Sequence, residues 1–206
     1  VETEPATDPL PELGDSDAPI LKALATVLGK KWQELILPER LIHRIVATVD
    51  NLPRKRLPAS IVPVKRVTGA FAVVGSAETL AIDAKNPERY ASYVQLIKSV
   101  DTPKLVAVYR QFYPLFQRAY VELGYPNAYF NDRLVEALDD LLAAPEPEEP
   151  IRLAQPKVLY EFADPALESR SAGQKIMIRM GRDNAVSIKA KLREIRQSVA
   201  RGQGAS

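Results

Sequence analysis

The sequence predicts a mainly α, single compact domain of seven to eight helices carrying one small β-hairpin. Three observations predict it. Apolar residues recur at helical spacing over most of the chain. Asn86-Pro87, Thr102-Pro103 and Asp164-Pro165 each pair a capping side chain with a proline suited to a first helical turn. Only Phe71–Val74 and Thr79–Ile82 combine apolar and β-branched residues around a turn-forming segment, Gly75 to Glu78.

In order along the chain, residues 1–15 are rich in acids and prolines and are expected to be a disordered tether. Ser16 or Asp17 then caps a helix with Ile20, Leu21, Leu24, Val27 and Leu28 on one face, and Gly29 is its stop. Pro38 is expected to open the next helix, with Leu41, Ile42, Ile45, Val46 and Val49 inward. A basic, proline-spaced loop from Arg54 to Arg66 leads to the hairpin, which is too small to stand without helices beneath it.

The segment from Tyr109 to Asp132 carries eight of the fourteen aromatic residues (8 Tyr, 5 Phe, 1 Trp). Leu105, Val108, Phe112, Phe116, Ala119 and Leu123 keep a helical period past Pro114, which either kinks one long helix or begins a second. After the Tyr125-Pro126-Asn127 turn, Phe130, Leu134, Leu138 and Leu141 face inward, with Tyr129, Arg133, Glu136 and Asp140 as a polar stripe. The acidic linker 144–150 marks a possible subdomain split. Ser171 and Gln174 match a capping box, Gly181 can stop that helix, and Ala185, Ile188, Leu192, Ile195 and Val199 form a narrow seam in the last one. The globular domain spans 16–200 and residues 201–206 form a tail.

Composition excludes several chemistries. With no cysteine there is no disulfide, thiolate nucleophile or zinc ribbon. His43 is the only histidine, too few for a multi-histidine metal site, and no Gly-x-Ser-x-Gly elbow accompanies it. The nine glycines form no phosphate-cradling loop. No cofactor or metal is expected. The net charge of +2 joins an acidic start (Glu2, Glu4, Asp8, Glu12, Asp15, Asp17) to a basic end (Lys175, Arg179, Arg182, Lys189, Lys191, Arg193, Arg196, Arg201). The basic end lacks interleaved aromatics, so nucleic acid is not an expected partner.

The candidate ligand-binding residues are Tyr120, Tyr125, Tyr129, Asn131 and Asp132 at the aromatic turn, with Asp50 and Asn51 at a helix end beside the basic loop. Tyrosines there either close over the core or frame a pocket. Three function classes stay open. One is a non-enzymatic protein-interaction or scaffolding module. Another is a glycan or small-ligand binder using the tyrosines. The third is an acid/base enzyme using Asp50, Asp132 or Glu161, which would need two carboxyls across a cleft.

Four segments resemble one family: ATVDNLPRKRLP (47–58), the stretch from Tyr113 to Pro147, VLYEFADPALESRSAGQK (158–175) and RMGRDNAVSIKAKLREIR (179–196). The family is a proteobacterial domain of unknown function, number three thousand and fourteen in its series. The resemblance implies no catalytic residue. It implies a layout in which one membrane-spanning helix and an acidic, proline-rich linker precede this domain. The sequence opens on Val1, so the anchor is expected to precede it. The acidic flank suits translocation, since short flanks kept in the cytoplasm are enriched in Lys and Arg. The expectation is a periplasm-facing domain anchored in the inner membrane, with a protein partner in the cell envelope.

Overall fold

Helices dominate because nearly every periodic apolar stripe found a neighbour to pack on. The computed structural model describes residues 9–29 and 31–200. Among them are eight α-helices: α1 (Asp17–Leu28), α2 (Leu41–Asn51), α3 (Ala91–Ser99), α4 (Thr102–Glu122), α5 (Phe130–Leu142), α6 (Pro165–Glu168), α7 (Ala172–Arg179) and α8 (Arg182–Ala200). The protein is mainly α with a small antiparallel hairpin. Residues 1–8 of the expected tether and the expected tail 201–206 lie outside the described residues. Packing begins ahead of Ser16, because Leu13 is buried in the core and Glu12 pairs with Arg118 at 2.6 Å.

The main core lies where α1, α2 and α5 meet α4. Ile20, Leu24, Trp32, Leu41, Ile42 and Val46 pack there on Phe112, Leu115, Phe116, Tyr120 and Phe130. The α4 helix is continuous through Pro114. The α8 seam packs on α3, α4 and α5, burying Ala185, Ile188 and Val199.

The β structure exceeds the expected hairpin. β1 (Val73–Val74) and β2 (Ala81–Ile82) pair as expected, and β3 (Leu153–Ala154) and β4 (Glu161–Phe162) form a second hairpin. The Ile82 amide donates to the Ile151 carbonyl at 3.0 Å and the Leu153 amide to the Leu80 carbonyl at 2.9 Å. Chain from both sides of the acidic linker therefore meets edge to edge. The linker itself is bound to α8, where the buried Lys189 donates to the Ala144 carbonyl at 2.7 Å and to Glu146 at 2.8 Å.

Several polar side chains do long-range work that local rules misassign. Asp17 begins α1 but caps α2, accepting from the amides of Arg40 (2.6 Å) and Leu41 (2.8 Å). Ser16 donates back to the Leu13 carbonyl instead of capping. Pro38 lies ahead of the turn that opens α2 at Leu41. Asp101, not Thr102, caps α4. Ser171 caps α7 as expected, but Gln174 turns outward to the Asp140 carboxylate and carbonyl. Gly173 in α7 permits this docking, since a Cβ there would stand 3.2 Å from the Leu52 carbonyl oxygen and 2.7 Å from Leu141 Cδ2. Asp164 does cap α6.

Asn86 is the clearest reassignment. It is fully buried, accepts from the Ala72 amide at 3.1 Å and from Arg89 at 3.0 Å, and donates to the Arg179 carbonyl at 2.8 Å. It thus joins the β1 edge to the end of α7. Asn86→Ala leaves the half-buried Ala72 amide and Arg179 carbonyl without this partner, and should lower stability by about 1–3 kcal/mol in urea unfolding.

Glu168 ties β4 to α7 in a similar way. It accepts from Lys175 at 2.6 Å and from the Phe162 amide at 2.9 Å. Burial pushes its pKa up, but these two bonds together with the attraction of Lys175 and Arg179 hold it below the ordinary value of 4.5. A depressed folded pKa gives stability that is present above the unfolded value and lost as pH falls through the folded one. Glu168→Gln should therefore flatten the decline in stability below about pH 4.5, as read by urea midpoints across an acid series.

Candidate functional site

The α4–α5 corner is built on the core and locked from beneath. Tyr120 on α4 stacks on Tyr125 with centroids 4.6 Å apart and planes 21° apart, and it meets Phe130 edge-on at 5.7 Å. Gln117 clamps the loop that follows. Its amide donates to the Ala128 carbonyl at 2.8 Å, and its oxygen accepts from the Phe130 amide at 2.9 Å and the Tyr113 hydroxyl at 3.2 Å. The loop geometry is therefore set by α4, one turn below the cleft.

Beside this corner lies a buried ionic centre. Asp50, only 4% exposed near the end of α2, accepts from Arg133 Nε of α5 at 3.1 Å and pairs with Arg54 at 2.9 Å. Arg133 also donates to the Asp50 carbonyl and pairs with Glu136 at 2.6 Å. Arg54 donates to the Tyr125 hydroxyl at 2.6 Å. Its hydrogen bond and attraction to Asp50 raise the Arg54 pKa. Burial raises the pKa of Tyr120, with a further push from Asp50. Two guanidiniums on one carboxylate leave Asp50 committed to holding α2, α5 and the basic loop together.

Over this centre opens a cleft of about 450 Å³, whose lining includes Asp50, Arg54, Tyr120, Tyr125, Asn127, Tyr129, Asp132, Arg133 and Glu136. Five of the seven residues singled out from sequence line it: Asp50, Tyr120, Tyr125, Tyr129 and Asp132. The other two point elsewhere. Asn131 accepts from the Tyr109 hydroxyl at 3.1 Å, and Asn51 donates back to the Ala47 carbonyl at 2.8 Å. Tyr129 is 68% exposed, against 5% for Tyr120, so the tyrosines divide into a core pillar and a surface platform. Glu161 lies on β4 and is not among the cleft's lining residues. Arg133 and Glu136 are additions, and their i,i+3 spacing signalled the pair but not the tie to Asp50.

Residues 41–196 match the family described as Protein of unknown function (DUF3014). The chain belongs to this family. No curated protein and no solved structure matches it. The DUF3014 match opens at Leu41, the first residue of α2, and so contains the whole tyrosine corner with Asp50 and both arginines. It leaves out α1, although Asp17 caps α2 and Ile20 and Leu24 pack in the core. The DUF3014 domain in this chain is therefore completed by a helix outside the matched stretch. Among the described residues no group of carboxylates and histidines suited to a metal is present, and no helix is long and apolar enough to cross a membrane.

Asp50→Ala should cost about 3 kcal/mol, because it removes the buried carboxylate that Arg54 and Arg133 share and leaves Arg133 with Glu136 alone. Tyr129→Ala should change stability by less than about 0.5 kcal/mol, since its ring is mostly in water. Equal losses in thermal or urea unfolding would overturn this division into a buried ionic tie and a surface platform.

Proposed function

We propose that the protein is a non-enzymatic interaction module of the cell envelope that uses the tyrosine corner to grip a protein partner. One observation carries the reading: Tyr129 stands in water on a loop that Gln117 fixes from below. An aromatic held rigid before binding loses little freedom when a partner covers it, and Tyr and Arg supply a large share of interface energy. The commitment of Asp50 to two arginines favours recognition over acid/base chemistry. The reading includes an anchor preceding Val1 that holds the domain at the inner membrane, facing the periplasm.

A photo-crosslinking residue placed at 129 in the full-length protein in cells tests the contact. The expected result is a discrete protein adduct, absent when the crosslinker sits at the exposed Gln197 and lost on adding Tyr125→Ala. Identical adducts from 129 and 197, or none from 129, would sink the proposal. A reporter fused to the C-terminus of the full-length protein should be active only if exported, and cytoplasmic activity refutes the periplasmic placement.

A second reading has one observation in its favour. Asn127, Asp132 and Glu136 share the cleft with Tyr129, and an aromatic platform ringed by carboxylate and amide groups suits a sugar ring and its hydroxyls. A melting shift with envelope oligosaccharides that Tyr129→Ala abolishes would favour this glycan reading over the protein partner.

A further inference from the structure

At the opposite end of α2 a second recess opens against α4, separate from the tyrosine cleft. It has a volume of about 320 Å³ and an apolar floor that includes Val46, Ala47, Ile61 and Leu123. Arg40, His43 and Arg44 from the start of α2 and Glu122 from the end of α4 also line it.

The charges here are unevenly answered. Glu122 is engaged by His43 at 3.3 Å and by Arg118 at 3.6 Å. Arg44 donates to three carbonyls, those of Glu39 (3.0 Å), Ser60 (2.6 Å) and Val62 (3.4 Å), and among the described residues to no carboxylate. Carbonyls orient a guanidinium without cancelling its charge. The Arg40 guanidinium has no hydrogen-bond or ion-pair partner among the described residues. Its backbone is left-handed, at φ 52° and ψ 42°, which an L-residue with a side chain adopts at a steric penalty. Asp17 holds that turn through the amides of Arg40 and Leu41. Asp17 thus bonds the backbone of the turn while the Arg40 side chain lines the recess.

We propose that this recess is an anion site taking a small organic acid, a carboxylate or phosphate head on a short apolar body. The head meets Arg40 and Arg44, and the body lies on Val46, Ala47, Ile61 and Leu123. A bare inorganic anion would leave that floor wet, and a neutral apolar molecule would leave two cations unanswered. The site is independent of the tyrosine corner and of any reading of it.

Arg40→Gly separates binding from folding. Glycine tolerates the left-handed turn, so the variant should be at least as stable as the parent while losing the unpaired guanidinium. The probes are hexanoate, hexyl phosphate, inorganic phosphate and 1-hexanol at matched concentration and ionic strength, read by melting shift and by titration calorimetry. Hexanoate or hexyl phosphate should raise the melting temperature, with the other two giving little, and Arg40→Gly should weaken binding by about tenfold or more. The proposal is overturned if neither organic anion binds, if hexanol or inorganic phosphate matches them, or if Arg40→Gly binds them as the parent does.

Discussion

The α4 helix has to run unbroken past Pro114, because its apolar stripe is the surface on which the other helices pack. A proline inside a helix removes one backbone bond, crowds the carbonyl four residues back and costs about 3 kcal/mol or more. Around that position Phe112, Leu115, Phe116 and Tyr120 are all buried. Each such side chain gains about 1.5–3 kcal/mol on leaving water, so together they outweigh the local defect. Packing therefore decides between one helix and two. Phe116 and Phe130 stack at 5.6 Å with planes 7° apart, which fixes where α5 must start after the turn.

That same constraint makes the corner stiff. Tyr120 belongs to the α4 core stripe, and Tyr125 lies flat on it. The Asp50 centre then closes the third side by joining α2 to α5 through Arg133. A buried ion pair of this kind adds little net stability over apolar packing, but removing either half leaves an uncompensated charge. Its consequence is geometric: it holds the floor of the cleft to one arrangement while Tyr129 stays in water. The question posed by the aromatic segment, core or pocket, is answered by position along it. Phe112, Phe116, Tyr120 and Phe130 are buried in the interior, Tyr120 and Tyr125 also line the cleft, and Tyr129 stands exposed beside it.

What was legible in the sequence is what depends on neighbours in the chain. The stripes of α1, α2, α4, α5 and α8 repeat every three or four residues, and the Asp164 and Ser171 caps act within a few residues. The illegible part depends on partners far away. Asp17 reads as a cap for its own helix but serves amides more than twenty residues on, and Asn86 reads as a cap but is a buried tie between β1 and α7. The second hairpin escaped because β3 and β4 are two residues each and β3 lies along β2 from a distant part of the chain. Within the site, composition pointed to the tyrosines and Asp50. It could not place Asn51 and Asn131, because an amide on a helix bonds backward, outward or across with equal ease until the neighbours are fixed.

Charge illustrates the same dependence on the fold. The basic C-terminal stretch looks like a surface for anions, yet much of it is answered internally. Lys189 binds the acidic linker, Lys191 binds Glu194 and the Val100 carbonyl, and Arg196 meets Asp139 with two bonds of 2.9 and 3.0 Å. Those cations hold α8 to α5, to the end of α3 and to the linker. At the start of α2 the balance is opposite. There Asp17 bonds backbone amides and Glu122 engages His43 and Arg118, so among the described residues Arg44 meets only carbonyls and the Arg40 guanidinium meets no partner. The two ends of α2 are finished differently: Asp50 is answered by two arginines, and the Arg40 guanidinium has no partner among the described residues. Net charge along the sequence predicts neither outcome, because what matters for binding is which charges the fold leaves uncompensated beside a recess.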